Sequence, residues 1–271
     1  MSVLPDLHWH TRRCGHAAGG MEEYVAAARA AGIRCGGFAD HIPMYWLPRE
    51  RRDPGVAMAE EELPRYVSRV KQLQRENPDL QLGLGIEADY IPGWEGRLGE
   101  LLSGLPFDYV IGSVHYLDGW GFDNPALLAE YDRRDIDRLY REYFEQLCRA
   151  AASGLFDVLA HPDLIKKFGF RASMDLNPLY ADAARELAES GVCVEVNTAG
   201  LAAPVREIYP ALEFLVHCRR RGVPATVGSD AHRPEQVGRH MGEALQLLRR
   251  AGYREVVIFK QRKPVFLPLE D

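Results

Sequence analysis

Short apolar runs alternate with amphipathic stretches along the chain. The runs are apolar on both faces, as in Val158-Leu159-Ala160, which is typical of strands buried in a parallel sheet. We predict seven strands, over residues 4–10, 36–41, 81–88, 109–115, 157–161, 193–197 and 225–229. Apolar positions with helical spacing predict helices over residues 21–31, 61–76, 94–102, 135–152, 178–190, 210–221 and 234–251.

Repeated strand–helix units predict an α/β fold with a parallel sheet. No linker-like, low-complexity or repeated segment marks a boundary, so we expect one domain over residues 1–271. Two long connections, residues 42–60 and 117–134, carry aromatic side chains that either cover a substrate or pack inside. An apolar tail follows the last predicted helix, over residues 256–267, and Pro264 interrupts it.

Charge and cysteine content narrow the functional classes. The net charge is −6 and the pI is about 5.9, so no basic field favours nucleic acid or an anionic membrane. The five cysteines are odd in number and include no CxxC pair, so a disulfide framework is not expected. We find neither a signal-peptide pattern nor an apolar window of membrane-spanning length, and we predict a cytoplasmic protein. The sequence does not indicate the oligomeric state.

Metal-binding residue types recur at the carboxyl ends of the predicted strands. Six of the seven strands end this way, with His8, His10 and the following His16, then Asp40-His41, Glu87, His115, His161, and Asp230 with His232. Strands on opposite sides of an open sheet cannot bring such groups together, whereas a closed barrel collects them at one mouth. We therefore predict a closed barrel. His217 and His240 fall inside predicted helices and are interpreted as structural.

Imidazole and carboxylate groups together are ligands for zinc, manganese or iron. Seven histidines and two acids exceed the three or four protein ligands that one catalytic metal needs. We therefore predict two or three divalent ions, with Glu87 placed to bridge two of them.

The same segments resemble the polymerase-and-histidinol-phosphatase (PHP) superfamily. Its motifs correspond to His8-Trp9-His10 with His16, to Asp40-His41, to His115, and to Ser229-Asp230-Ala231-His232, while Glu87 and His161 match its intermediate ligands. The resemblance implies a distorted, TIM-like (β/α)7 barrel with a trinuclear centre of zinc, iron or manganese. One metal would take His8, His10, Glu87 and Asp230, a second Glu87, His115 and His161, and a third His16, His41 and His232.

Within the superfamily, the chain is similar to freestanding histidinol-phosphatases of the HisK/HisJ type. The segments Glu195 to Pro210 and Ala160 to Lys167 resemble the sixth and fifth strand–loop units of those enzymes. The resemblance implies hydrolysis of L-histidinol phosphate, a step of histidine biosynthesis. By position, Lys166 or Lys167 and Arg206 would hold the phosphate. The family pattern is less basic where this chain has Arg12 and Arg13, which would either add phosphate contacts or mark a somewhat different substrate.

The expected mechanism is attack of a metal-bridging hydroxide on phosphorus. Glu87, Asp230 and His232 are the expected catalytic residues, and a guanidinium such as that of Arg206 matches the phosphate oxygens. We expect acids such as Asp163 or Glu207 to face the amine and imidazole of the substrate.

Three alternatives share parts of this pattern. A PHP-family nucleotide phosphatase or 3′-5′ exonuclease would use every ligand, but it should have a basic groove with stacking aromatics. An amidohydrolase-like deacylase needs no phosphate-binding loops. A metal-storage protein would not need ligands that converge with such loops.

Overall fold

The computed structural model describes residues 5–269 and contains seven parallel strands in one sheet. The strands of the chain are β1 (Pro5–Trp9), β2 (Cys35–Phe38), β3 (Gln81–Asp89), β4 (Tyr109–Ser113), β5 (Tyr116–Leu117), β6 (Trp120–Gly121), β7 (Val158–Leu159), β8 (Cys193–Asn197), β9 (Ala225–Gly228), β10 (Glu255–Lys260) and β11 (Lys263–Pro268). The sheet order is β1-β2-β3-β4-β7-β8-β9. Residue 4, the first of the predicted strand 4–10, lies outside the described residues.

Within residues 5–269, seven α-helices connect these strands or follow them. They are α1 (Met21–Ala30), α2 (Leu63–Glu76), α3 (Glu95–Leu102), α4 (Ile136–Ala152), α5 (Asn177–Ser190), α6 (Leu212–Arg220) and α7 (Met241–Ala251). Helix α2 shows why they form, because Leu63, Tyr66, Val67 and Val70 lie on one face and are buried. In the described residues, no helix has the length and apolar character needed to cross a membrane.

Hydrogen bonds between the two ends of the sheet join the first strand to the segment after the last. The His10 amide donates to the Ala231 carbonyl over 2.8 Å, and the Ala231 amide donates to the His8 carbonyl over 3.1 Å. The sheet is therefore a nearly closed barrel, which confirms the predicted α/β barrel. Closure brings the carboxyl ends of β1 and β9 side by side.

Tyr109 fills the interior of the barrel, and three glycines leave room for it. A Cβ atom at Gly37, Gly83 or Gly85 would lie between 1.9 and 2.7 Å from the Tyr109 side chain. The Tyr109 hydroxyl donates to the Leu7 carbonyl over 2.7 Å, so its polar atom is satisfied although the residue is fully buried. The glycines of β2 and β3 are therefore needed to accommodate one large side chain.

The apolar tail folds as an antiparallel hairpin of β10 and β11. Val257, Ile258 and Phe259 of β10 are buried against strand residues of the barrel interior, including Tyr109. The hairpin therefore closes the amino end of the barrel, opposite the strand ends that carry the histidines.

Two segments differ from the predicted pattern. The last helix begins at Met241 rather than at residue 234, because Gly238 and His240 have positive φ and a short 3-10 turn takes up Pro234–Gln236. The connection 117–134 contains β6 and a 3-10 helix, Pro125–Arg133. Its aromatics pack inside, since Trp120 and Phe122 are buried.

Candidate metal centre

The nine predicted ligands lie at the carboxyl mouth of the barrel, where the strand ends converge. His8 is in β1 and His10 directly follows it, so the period of two places both on one face. His161 and Asp230 adopt positive φ angles of 29° and 51°, which non-glycine residues rarely do. Backbone strain of this kind is commonly concentrated at functional sites.

Glu87 and Asp230 bring the two histidines of the first strand into one group of donors. The His10 Nε2 atom is 3.2 Å from a carboxylate oxygen of each acid. His8 Nε2 lies 3.3 Å from Glu87 and 4.0 Å from Asp230. The donor atoms of His8, His10 and Asp230 lie within 4.8 Å of one another, which is close enough to share one cation.

The other oxygen of Glu87 belongs to a second group. Glu87 Oε1 is 3.1 Å from His161 Nε2 and 3.9 Å from His115 Nε2. Since Oε2 faces His8 and His10, the two oxygens of one carboxylate face two different sets of histidines. This geometry suits a carboxylate that bridges two cations.

A third group lies nearer to solvent. His16 Nε2 and His232 Nε2 are 3.0 Å apart. The donor atoms of His41, His232 and His10 also lie within 4.8 Å of one another. His41 Nδ1 lies 3.1 Å from Glu87 Oε2, so His41 stands between this group and the first.

Buried nitrogen atoms without hydrogen bonds test whether metal ions fit these groups. The Nε2 atoms of His8 and His10 are buried and make no hydrogen bond in the described part of the chain. A buried polar atom left in this state costs about 1–3 kcal/mol. Coordination of a divalent ion would satisfy both atoms, and neutral imidazole with carboxylate is a donor set that zinc, manganese and iron accept. The residues present therefore fit the metals that the sequence predicts.

A second layer of contacts orients the histidine rings. Glu195 accepts from His8 Nδ1 over 2.7 Å, and Asp89 accepts from His115 Nδ1 over 2.8 Å. In both rings, the Nδ1 proton leaves Nε2 free to bind a metal. The sequence pattern did not single out these two acids, although each has a recognisable signal. Asp89 lies two residues after Glu87 on the same strand face, and Glu195 interrupts the apolar strand β8.

Cys14 and Asp40 form buried contacts with His10 and with the backbone next to it. The buried Cys14 thiol lies 3.4 Å from His10 Nδ1, donates to Asp40 Oδ1 over 2.8 Å and accepts from the His41 amide over 3.1 Å. Thr11 donates its amide and its hydroxyl to Asp40 over 2.6 and 2.8 Å. The predicted Asp40 thus fixes the loop rather than lining the cleft.

In the metal-free cluster, burial and neighbouring charges shift the pKa values of both acids and of several histidines. Burial raises the pKa of Glu87 and of Asp230, but the surrounding histidines outweigh it and hold both pKa values well below the usual range. Burial lowers the pKa of His232 to about 3, and His10 adds to the effect. Burial lowers the pKa of His115, but Asp89, Asp123 and Glu87 together outweigh it and raise the pKa to about 10. The two acids therefore stay ionised, as metal ligands must.

A cleft of about 600 Å³ opens over the cluster. Seven of the nine predicted ligands line it, namely His16, His41, Glu87, His115, His161, Asp230 and His232, while His8 and His10 lie deeper. Asp123, Lys167, Tyr209 and Arg239 also line this cleft. It is large enough for a small metabolite.

Of the residues predicted to contact phosphate, Lys167 lines the cleft and the others do not. Lys167 lines the cleft, where its ammonium donates to Asp123 Oδ2 over 3.1 Å. Lys166 is 1% exposed and forms ion pairs with Asp163 and Glu207, at 2.8 and 3.2 Å. The expectation that Lys166 binds substrate is therefore corrected, because its charge is already neutralised inside the protein. Neither Asp163 nor Glu207 lines the cleft, so neither is placed to face the substrate as expected.

The three predicted arginines lie away from the cleft lining. Arg206 is exposed, on a loop residue with φ of 53°. Arg12 is exposed on the outer side of its loop, and Arg13 pairs with Glu62. None of the three lines the cleft over the cluster. Loop conformation decides the direction of these side chains, and the sequence pattern does not report it.

The two helical histidines remain outside the cluster. His217 lies in α6 and contacts Asn177, with 3.3 Å between Nε2 and Oδ1. His240 directly precedes α7 and lies 3.0 Å from Glu243. Neither histidine lines the cleft, and the prediction that His240 lies inside a helix is wrong, because its positive φ places it just before α7.

Comparisons with known proteins bear on this architecture. A model of the PHP domain matches residues 6–199, and a PHP-associated model matches residues 217–244. The chain is 44% identical over 266 residues to a probable histidinol-phosphatase of Deinococcus radiodurans, covering 97% of this chain and 99% of that protein. It is 22% identical over 266 residues to the histidinol-phosphatase of Lactococcus lactis subsp. lactis, covering 95% of each.

A crystal structure of the Lactococcus lactis histidinol phosphate phosphatase, complexed with zinc, L-histidinol and phosphate, has the same fold. Its TM-score is 0.83 at 22% sequence identity, and the match covers 98% of this chain and 100% of that one. A nearly closed barrel with such a cluster at its carboxyl mouth is an architecture of metal-dependent hydrolases. The family model covers more than half of the chain, and the 44% identity extends over nearly all of it. The chain belongs to the PHP domain family.

Proposed function

We propose that the chain is a metal-dependent phosphomonoesterase that hydrolyses L-histidinol phosphate to L-histidinol and phosphate. The observation that carries this proposal is the convergence of nine histidine and carboxylate side chains at one mouth of the barrel. Similarity over nearly the whole chain to a probable histidinol-phosphatase supports the substrate.

The three groups of donors are the proposed sites for two or three zinc, iron or manganese ions. His8, His10, Glu87 and Asp230 would hold one ion, and Glu87, His115 and His161 a second. His16, His41 and His232 would hold a third. Bound divalent ions lower the pKa of water and neutralise the charge of a phosphate ester.

Three residues of the cluster are the proposed catalytic groups. Glu87 keeps the two inner sites at a fixed separation, because each of its oxygens faces different histidines. The low pKa of Asp230 keeps its carboxylate ionised, and its side chain is 17% exposed, so it could hold a metal and orient a water molecule by accepting a hydrogen bond. His232 has a pKa of about 3, so its imidazole is neutral at neutral pH. Its Nδ1 atom lies 3.0 Å from the Asp230 carbonyl oxygen.

The remaining charges of the cleft suit a substrate that carries both signs. Histidinol phosphate combines a phosphate with an amine and an imidazole. Asp123 lines the cleft, and its pKa is low because His115 and Lys167 outweigh the effect of burial. We assign this carboxylate, which Lys167 contacts on one oxygen, to the cationic end of the substrate, in place of the acids expected from the sequence.

We further propose that residues 1–271 form one metallohydrolase domain, since the larger of two hydrophobic clusters contains residues from Trp9 to Val256. A cytoplasmic location is proposed because free thiols, such as the five cysteines here, persist in a reducing compartment.

The test is phosphate release by the metal-loaded protein from a panel of substrates. We expect turnover of L-histidinol phosphate to exceed that of a nucleoside 3′,5′-bisphosphate and of an oligonucleotide. His115→Ala should lower turnover and metal content together, whereas the matched variant His217→Ala should change neither. Preference for either nucleotide substrate would replace the proposed function with the nucleotide phosphatase or exonuclease alternative.

A further inference from the structure

Arg239 is held rigidly at the edge of the cleft. It lies between β9 and α7, and it lines the cleft together with Asp230 and His232. Its carbonyl accepts from the Thr198 hydroxyl over 2.9 Å. The amide of the preceding Gly238 donates to Asp6 over 2.8 Å. The backbone at Arg239 is thus attached to the ends of β8 and to β1.

The guanidinium of Arg239 is anchored along one edge only. Nε and Nη2 donate to the Ser229 carbonyl over 3.3 and 3.2 Å, and Ser229 directly precedes the proposed ligand Asp230. Within residues 5–269, no carboxylate lies within ion-pair distance of this guanidinium, and Nη1 has no protein partner. The edge formed by Nη1 and Nη2 therefore keeps donors available for a ligand.

The other cations near the cluster are already committed or lie outside the cleft. Lys166 is buried between two carboxylates, and Lys167 is paired with Asp123. Arg206 is exposed and does not line the cleft. Arg239 is therefore the unpaired cation among the described residues that line the cleft.

We propose that Arg239 binds the phosphate group of the substrate through its Nη1–Nη2 edge. This inference rests on the proposed function, because it assumes that a phosphate ester occupies the cleft. A guanidinium presents two parallel N–H groups to two phosphate oxygens, which a lysine cannot do. The anchor on Ser229 orients that edge before the substrate arrives, so less side-chain entropy is lost on binding. Arg239 is thus a substrate-binding residue that the sequence pattern did not indicate.

The experiment measures binding of inorganic phosphate to the metal-loaded protein by titration calorimetry. We expect Arg239→Gln to weaken phosphate binding about 10- to 100-fold, the range for loss of a charge-assisted bidentate contact. Arg239→Lys keeps the charge but loses the bidentate geometry, so its affinity should lie between the two. Arg233→Gln is the matched control, because Arg233 is exposed on the same connection and lies outside the cleft lining. Metal content should be unchanged in all three variants.

Arg206→Gln distinguishes this assignment from the one made by family resemblance. The proposal is overturned if Arg206→Gln weakens phosphate binding while Arg239→Gln and Arg239→Lys do not. It is also overturned if the metal-loaded wild-type protein does not bind phosphate. If the wild type binds phosphate but does not hydrolyse L-histidinol phosphate, the proposed function fails while the role of Arg239 is still decided by the titration. With a substrate in hand, Arg239→Gln should raise KM.

Discussion

Replacement of Glu195 by glutamine tests whether the buried second layer prepares the metal ligands. Glu195 is fully buried and accepts three hydrogen bonds. One oxygen accepts from His8 Nδ1 over 2.7 Å. The other accepts from the His161 amide over 2.8 Å and from Asn197 Nδ2 over 3.0 Å. All three partners are donors, and glutamine offers one acceptor oxygen where glutamate offers two.

Neither orientation of the glutamine satisfies all three partners. With its amide nitrogen towards His8, the histidine must accept at Nδ1, and its proton moves to Nε2, the atom that faces Glu87 and Asp230. With its nitrogen towards the His161 amide, two donors face each other in a buried site. We expect metal affinity to fall about 10- to 100-fold, as for other second-layer partners of metal-bound histidine. At 1.4 kcal/mol for each factor of ten, this corresponds to about 1.4–2.8 kcal/mol.

The assay is a metal titration of the apo protein against a competing chelator. Glu189→Gln is the matched control, since Glu189 is exposed on α5 and does not line the cleft. The control should bind metal as the wild type does. If Glu195→Gln binds metal with wild-type affinity, Glu195 does not set the tautomer of His8, and the reasoning about ring orientation is refuted.

Three further predictions concern stability. Cys14→Ala should destabilise the fold by about 1–3 kcal/mol in urea unfolding, because buried polar atoms lose a partner, whereas Cys14→Ser should cost less; equal costs would contradict this reading. Gly85→Ala should cost at least about 1–3 kcal/mol, since its Cβ would lie 2.3 Å from the Tyr109 ring, while Gly96→Ala, with open space around its Cβ, should be neutral or stabilising. In the metal-free protein, the pKa of His115 is raised from its ordinary value of 6.5 to about 10. Protonation of this ring therefore stabilises the fold, and the contribution is fully present below pH 6.5. That contribution should disappear as the pH rises towards 10, and His115→Gln should remove this part of the pH dependence.

The barrel and the convergence of its histidines were predictable because both follow from local rules. Alternation of side chains along a strand fixes which residues share a face, and parallel strands all end at the same edge. His8, His10 and Glu87 stand at such positions, so their meeting follows once the sheet closes. Ligand-type residues at so many strand ends also supplied the reason to expect closure.

The phosphate contacts were less predictable because they stand on loops. Lys166 and Lys167 are adjacent in sequence, yet a 3-10 turn directs the first into the protein and leaves the second at the cleft. Arg206 and Arg239 both follow strand ends, and only the loop conformation distinguishes them. Loop direction depends on tertiary contacts such as the hydrogen bond between Gly238 and Asp6, which no local pattern contains.

The start of the last helix and the packing of the tail also depend on tertiary contacts. Helical spacing continues through residues 234–240, but positive φ at Gly238 and His240 interrupts the helix there. The tail is apolar because residues of β10 pack against the barrel interior around Tyr109. A pattern within the tail alone does not identify that partner.

Anomalous X-ray diffraction from crystals of the zinc-loaded protein tests the central claim most directly. We expect two or three zinc peaks at the carboxyl mouth of the barrel, with one on each side of Glu87. Treatment with a chelator should remove the peaks and the phosphatase activity together. Zinc bound only elsewhere, or a wild-type activity that survives complete metal removal, would contradict the account.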